Sequence, residues 1–243
     1  AESADNLDEV LAATFGIAAR PGGRVDFTGF MLAEPRVVVT DGWNLERIGH
    51  NGRVEVVTQT GARLSCAVLG RLDNNTFGPG LLVPPATLMM AGLRLADQPA
   101  TAGTAVHAAV ASSVRRAVLE GVMSPAAALA QGLIDADTAD QLQRQLKAPR
   151  PGDEWRHFSL ASGQVSRPGP VRVRIQPIGF VDDLAGLRLA SAPGCSGAPV
   201  VDAGFAVQGF IVAGSVDPGR PDSYMLPTAV WAAPLRQFMR RQR

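Results

Sequence analysis

Cysteine is nearly missing from this chain: Cys66 and Cys195 are its two, far apart in sequence. One pair at most cannot make a disulfide framework, so a bridge-stapled secreted scaffold is excluded and a reducing, cytoplasmic compartment is the expectation. Histidine is scarce as well, with only His50, His107 and His157, and no His/Cys cluster has metal-ligand spacing. Neither a metal nor a cofactor is therefore expected. No apolar run approaches the ~18 to 20 residues of a membrane-spanning helix, and Ala1 to Glu9 is polar and acidic rather than signal-like. Charge of one sign is also lacking. The 23 basic and 22 acidic residues leave a net +1, which argues against nucleic acid or an anionic membrane as partner. Lys147 is the single lysine, and the arginine excess reads, with the abundant alanine, as codon bias rather than chemistry.

What is present is enough chain for a core. At 243 residues it exceeds the ~100 to 200 of one typical domain, yet β proteins of two barrels commonly form one unit of this size. Such a core needs no metal or disulfide.

Leu7, Val10, Leu11 and Phe15 recur at helical spacing, so a helix is expected over 6–19, capped near Asp5 or Asn6 and broken by Arg20-Pro21-Gly22-Gly23. From Val25 the pattern changes to short β-branched runs divided by Gly, Pro and Asn, which predicts strands near 25–32, 36–40, 53–59, 63–70, 80–84 and 103–109. Between 108 and 154 the period is helical again. Ser124-Pro125 places an N-cap serine before a proline at the first helical position, and Asp135 or Asp137 can cap a further helix through Lys147. Strands resume at 158–166, 171–178, 186–190, 198–203, 206–214 and 223–227, and 228–243 reads as a closing helix.

The chemistry concentrates in Gly194-Cys195-Ser196-Gly197-Ala198-Pro199. Small residues flanking a serine let the backbone turn tightly enough to expose the hydroxyl and aim neighbouring N–H groups at one point. Gly194 and Ser196 supply an oxyanion-hole-like pair of that kind.

This turn resembles the nucleophile loop of trypsin and chymotrypsin-like serine peptidases, usually worded Gly-Asp-Ser-Gly-Gly-Pro. Thr28-Gly29-Phe30-Met31-Leu32, Val37 to Thr40, Val54 to Gly70, Phe158 to Ser166 and Val212-Ala213-Gly214-Ser215 resemble, in order, further strands of the bacterial members, the last being the wall of the substrate cleft. The resemblance implies an all-β double six-stranded β-barrel of trypsin type with a helical insertion and a C-terminal helix. Its divisions would be 1–106 (N-terminal helix and first barrel), 107–155 (insertion), 156–227 (second barrel) and 228–243 (closing helix).

The resemblance also implies a histidine base in a Thr-Ala-Ala-His context and an aspartate in an Asp-Leu-Ala-Leu-Leu run. Trp43 stands at the histidine position, and an indole N–H has no basic lone pair with which to take a proton. Thr76 lies near the aspartate position, in a run Thr76 to Leu82 without a carboxylate. The expectation is therefore a catalytically inactive pseudopeptidase, a non-enzyme that engages a protein or peptide partner through the cleft or the 108–150 insertion. The alternative is an active serine endopeptidase using Ser196 with His50 and Asp73. His107 and His157 read as structural, and Cys195 as a small buried hydrophobe rather than a nucleophile.

Overall fold

The β-branched runs close into two rings of strands. The structure is a computed structural model that describes residues 2–49, 51–111, 113–119, 121–149, 158–191, 194–215 and 219–242. The first ring comprises β1 (Thr14–Ala18), β2 (Val25–Leu32), β3 (Val37–Thr40), β4 (Arg53–Val57), β5 (Arg63–Arg71) and β6 (Gly80–Val83). Its order is β1-β2-β3-β6-β5-β4, and β1 pairs with β4 to close it.

The amino terminus corrects one expectation. Helix α1 covers only Leu7–Ala12, with the Asn6 side chain accepting the Glu9 N–H, and the chain then turns into β1. The helical spacing of Val10 and Phe15 is real, but all five residues of β1 are buried and its edges pair with both β2 and β4. Barrel closure outweighs local helical preference, because it satisfies two rows of backbone groups at once.

The second ring holds β8 (Ala105–Ala111), β9 (Phe158–Ile175), β10 (Gly179–Arg188), β11 (Pro199–Asp202), β12 (Ala206–Gly214) and β13 (Ser223–Pro227). They run β11-β8-β9-β10-β13-β12, with β11 pairing back on β12, while β7 (Arg94–Leu95) adds in parallel beyond β12. The strand expected at 103–109 as the exit from the first barrel is β8, a full member of this second ring. The separate strands expected at 158–166 and 171–178 are one continuous β9, which forms a long hairpin with β10. Pro168 and Pro170 lie within it. The strand passes them through register shifts in its pairing with β10, where a missing N–H is tolerated.

The connection between β8 and β9 carries three helices, α3 (Ser113–Leu119), α4 (Pro125–Ala130) and α5 (Ala136–Lys147). Ser124 Oγ accepts the Ala127 N–H and Asp135 accepts the Thr138 N–H, as the cap signals indicated. The three helices close over their own small cluster of Val114, Val118, Ala128, Ile134, Ala139 and Leu142. Helix α6 (Thr228–Arg241) then packs on β12 and β13. Among the described residues no helix is long and apolar enough to cross a membrane, and the buried Cys66 and Cys195 form no disulfide.

Candidate active site

Ser196 lies on a tight turn between the rings. Ala198 N–H donates to the Cys195 carbonyl at 2.9 Å, and Gly197 holds φ +84°, the pattern of a type II turn that needs glycine at its third position. Space demands glycine as well: a Cβ on Gly197 would lie 2.0 Å from the Thr28 carbonyl oxygen. Gly197→Ala is expected to cost about 2 kcal/mol or more, from strained φ and displaced β2 backbone, read as a fall in urea midpoint at unchanged slope.

The carbonyls of this turn are held towards the first ring. The fully buried Thr28 donates its hydroxyl to the Gly194 carbonyl at 2.7 Å, and its N–H to the Ser196 carbonyl at 2.9 Å. Thr40 Oγ1 donates to the Thr28 carbonyl at 2.6 Å, so β2 and β3 together grip the loop. In a trans peptide the N–H points opposite the C=O. With the Cys195 carbonyl tied to Ala198, the Ser196 N–H is therefore directed away from that bond. Neither the Gly194 nor the Ser196 N–H has an acceptor among the described residues, nor is the half-buried Ser196 hydroxyl hydrogen-bonded among them. Cys195 points the other way, 7% exposed, into the second-ring core with Ala198, Val200 and Ile211.

The strand that enters the site, β3, ends at Thr40 and passes into helix α2 (Gly42–Ile48). Asp41 is its N-cap. One carboxylate oxygen accepts the N–H groups of Trp43 at 2.8 Å and Asn44 at 3.4 Å, and the other accepts the Asn44 side-chain amide at 2.9 Å. Asp41 is fully buried, and this desolvation pushes its carboxyl up to about 7, against those hydrogen bonds and the nearby Arg71 charge. Its backbone nitrogen lies 3.1 Å from the Cβ position of Gly197, so the start of α2 adjoins the serine turn. The sequence reading passed over this residue and this helix. The available signal was an aspartate just after a strand and before Gly-Trp-Asn-Leu, an N-cap arrangement.

Trp43 is half-buried on the first turn of α2, packed at the edge of the core with the Arg47 guanidinium 5.5 Å from its ring centre. The loop expected to carry the aspartate presents backbone instead. Gly78 lies so close to Gly42 that a Cβ on Gly42 would fall 1.8 Å from the Gly78 carbonyl oxygen, while the Thr76 carbonyl is bonded by Arg71. Asp73 is exposed in the same loop. His50 and His157 lie outside the described residues, as do Ala192 and Pro193 before the serine turn. His107 is taken up across the β8–β9 ladder, its Nδ1 2.8 Å from Ser162 Oγ. Along the expected cleft wall, Val212 is buried, Ala213 half-buried and Gly214 exposed; the Ser215 N–H donates to the Asp222 carbonyl at 2.9 Å. No cluster of three or more metal-ligating side chains occurs among the described residues.

No protein-family model and no curated protein sequence matches the chain. Solved structures do. The inactive form of the Rv3671c protease of M. tuberculosis matches at 16% identity with a TM-score of 0.61 over 98% of both chains. The MamO protease domain from Magnetospirillum magneticum matches at 14% identity and 0.63, over 93% of this chain and 96% of its own. A serine endoprotease from Yersinia pestis matches at 12% identity and 0.60, over all of this chain and 70% of its own. The expectation of a non-enzyme, drawn from Trp43 and from the lack of a carboxylate over Thr76 to Leu82, is corrected by these neighbours. They are proteases, and Rv3671c has been solved in both active and inactive forms on this same fold. Loss of a histidine at one position does not by itself remove a chain from that enzymatic architecture. With one closed six-stranded barrel, a second six-strand ring, a serine turn between them and a closing helix, the chain has the trypsin-like serine protease fold.

Proposed function

We propose that the protein is a serine endopeptidase with Ser196 as nucleophile and a base other than Trp43. The observation that carries the reading is the serine turn itself. Its carbonyls are bound inward by Thr28 and Ala198, while the Gly194 and Ser196 N–H groups have no acceptor among the described residues. Two preset donors beside a hydroxyl suit a carbonyl that becomes a tetrahedral oxyanion. In the proposed step Ser196 Oγ bonds to the carbonyl carbon of a polypeptide lying along Val212 to Ser215, and its proton passes to the base. The oxyanion is held by the two N–H groups, then collapses to an acyl-enzyme with release of the amine, which takes up the proton.

Two groups are proposed for that proton. One is His50, which follows α2 and its C-cap Gly49 in the sequence. The other is Asp41, whose backbone adjoins the turn at Gly197 and whose buried carboxyl is pushed up to about 7 by desolvation. Labelling with a fluorophosphonate, followed by mass spectrometry, tests the reading. The expected result is an adduct on Ser196 that is lost in Ser196→Ala and slowed ~100-fold or more in either His50→Ala or Asp41→Asn, whichever removes the base. Absence of any adduct on the folded wild-type protein, with trypsin labelled in parallel, overturns it.

A further inference from the structure

The second ring carries a pocket of its own beside the end of the cleft wall. It encloses about 390 Å³ and is lined by Ser166, Arg167, Arg188, Arg220, Pro221 and Asp222, among others. Its floor is a bulge in the β9–β10 hairpin. Arg167 stands opposite Gly186 and Val165 opposite Leu187, so two steps along β9 meet one along β10 and Ser166 is the extra residue. Bulges re-aim side chains. Here the Ser166 hydroxyl is buried and has no hydrogen-bond partner among the described residues.

The roof is the segment around Pro221. A Cβ on Gly186 would lie 2.5 Å from Pro221 Cγ, so glycine lets this segment lie down on the sheet, where the Asp222 N–H donates to the Leu187 carbonyl at 2.9 Å. Arg167, Arg188, Arg220 and Asp222 all line the pocket. Arg167 and Arg188 form no ion pair among the described residues. A buried hydroxyl without a partner is costly, and arginines that line one pocket favour an anion between them. A phosphate-type oxyanion answers both deficits. Its oxygens accept from guanidinium forks and hydroxyl together, a geometry that arginine matches better than lysine.

We propose that this pocket is an oxyanion site for a phosphate group, with Ser166 Oγ, Arg167 and Arg188 as donors. The Asp222 carbonyl accepts the Ser215 N–H, so the site abuts the end of the cleft wall. Equilibrium dialysis of inorganic phosphate against the full chain, with chloride holding ionic strength constant, tests it. Saturable binding is expected, weakened at least tenfold in Arg167→Gln/Arg188→Gln and at least threefold in Ser166→Ala. Arg174→Gln, an exposed change on the same strand, is expected to leave it unaltered. Competition by a phosphoserine peptide and by its unphosphorylated form identifies the source. A tenfold tighter phosphopeptide points to a phosphoprotein, while equality with inorganic phosphate points to the free anion, and either upholds the site. Lack of saturable binding, or wild-type affinity in a double variant of unchanged melting temperature, overturns it. So does equal weakening by Arg174→Gln.

Discussion

Asp41→Asn is expected to make the protein more stable than wild type at pH 8.5 and nearly equal to it at pH 4. The buried carboxyl is raised from 3.8 to about 7, so the folded state holds this proton more tightly than the unfolded state does. Its contribution is thus fully present below pH 4 and is lost as pH rises through about 7, the reverse of a salt-bridged carboxylate. A shift of about three units corresponds to ~4 kcal/mol at most. Asparagine keeps an oxygen for the Trp43 and Asn44 N–H groups and is itself a favoured N-cap, so the helix start survives the change. Other carboxylates titrate in both proteins, and the quantity to read is the difference between their urea-unfolding free energies across that pH range. Parallel curves would show that Asp41 does not bind the proton. The same variant bears on catalysis through the labelling rate, so stability and reactivity can be compared in one preparation.

Trp231→Ala is the second large effect, with an expected loss of ~4 kcal/mol, within the 3–5 typical of a buried aromatic truncated to alanine. Trp231 is completely buried, its ring centre lies 5.7 Å from that of Phe210 at 50°, and its indole N–H donates to the Leu226 carbonyl at 3.3 Å. It anchors α6 to β12 and β13. Further along the same helix Phe238 meets the first ring at Gly70, and the Asn74 side chain donates to the Val230 carbonyl at 2.9 Å. Loosening α6 therefore affects both rings. A loss of this size is a large share of the ~5–15 kcal/mol that holds a typical protein together. Trp231→Phe, which keeps the ring contact and loses only the indole N–H and some volume, is expected to lie well short of the alanine variant. Urea midpoints for the pair check this, and an alanine cost below ~1 kcal/mol would refute an anchoring role for α6.

Much of the framework was legible because it rests on local chemistry. Asn6, Ser124 and Asp135 cap the helices they were read to cap or stand beside, since an N-cap is a bond across three residues. The strands β2, β4, β5 and β12 follow their β-branched runs within a residue or two. Strand β1 was missed because a five-residue apolar stretch next to a short helix fits either period, and only pairing on both edges decides it. Helix α2 was missed because its sequence carries a glycine and a tryptophan at the start, and Asp41 with it. The non-enzyme reading rested on residues missing at two expected positions, Trp43 for the histidine and Thr76 to Leu82 for the aspartate, and the structural neighbours that overturn it are proteases.

The sequence alone determined that a serine sits in a glycine-framed turn, that Trp43 rather than histidine follows β3, and that no disulfide framework or helical membrane span organises the chain. These properties are fixed by residue identity and by neighbours a few positions away. Tertiary structure decided where the turn's hydrogen bonds go. Thr28, 166 positions away, binds the Gly194 carbonyl and ties the serine turn to the first ring, and burial of Asp41 pushes its carboxyl up to about 7. Desolvation and long-range hydrogen bonding depend on what the folded chain brings alongside a group, and no local pattern encodes that.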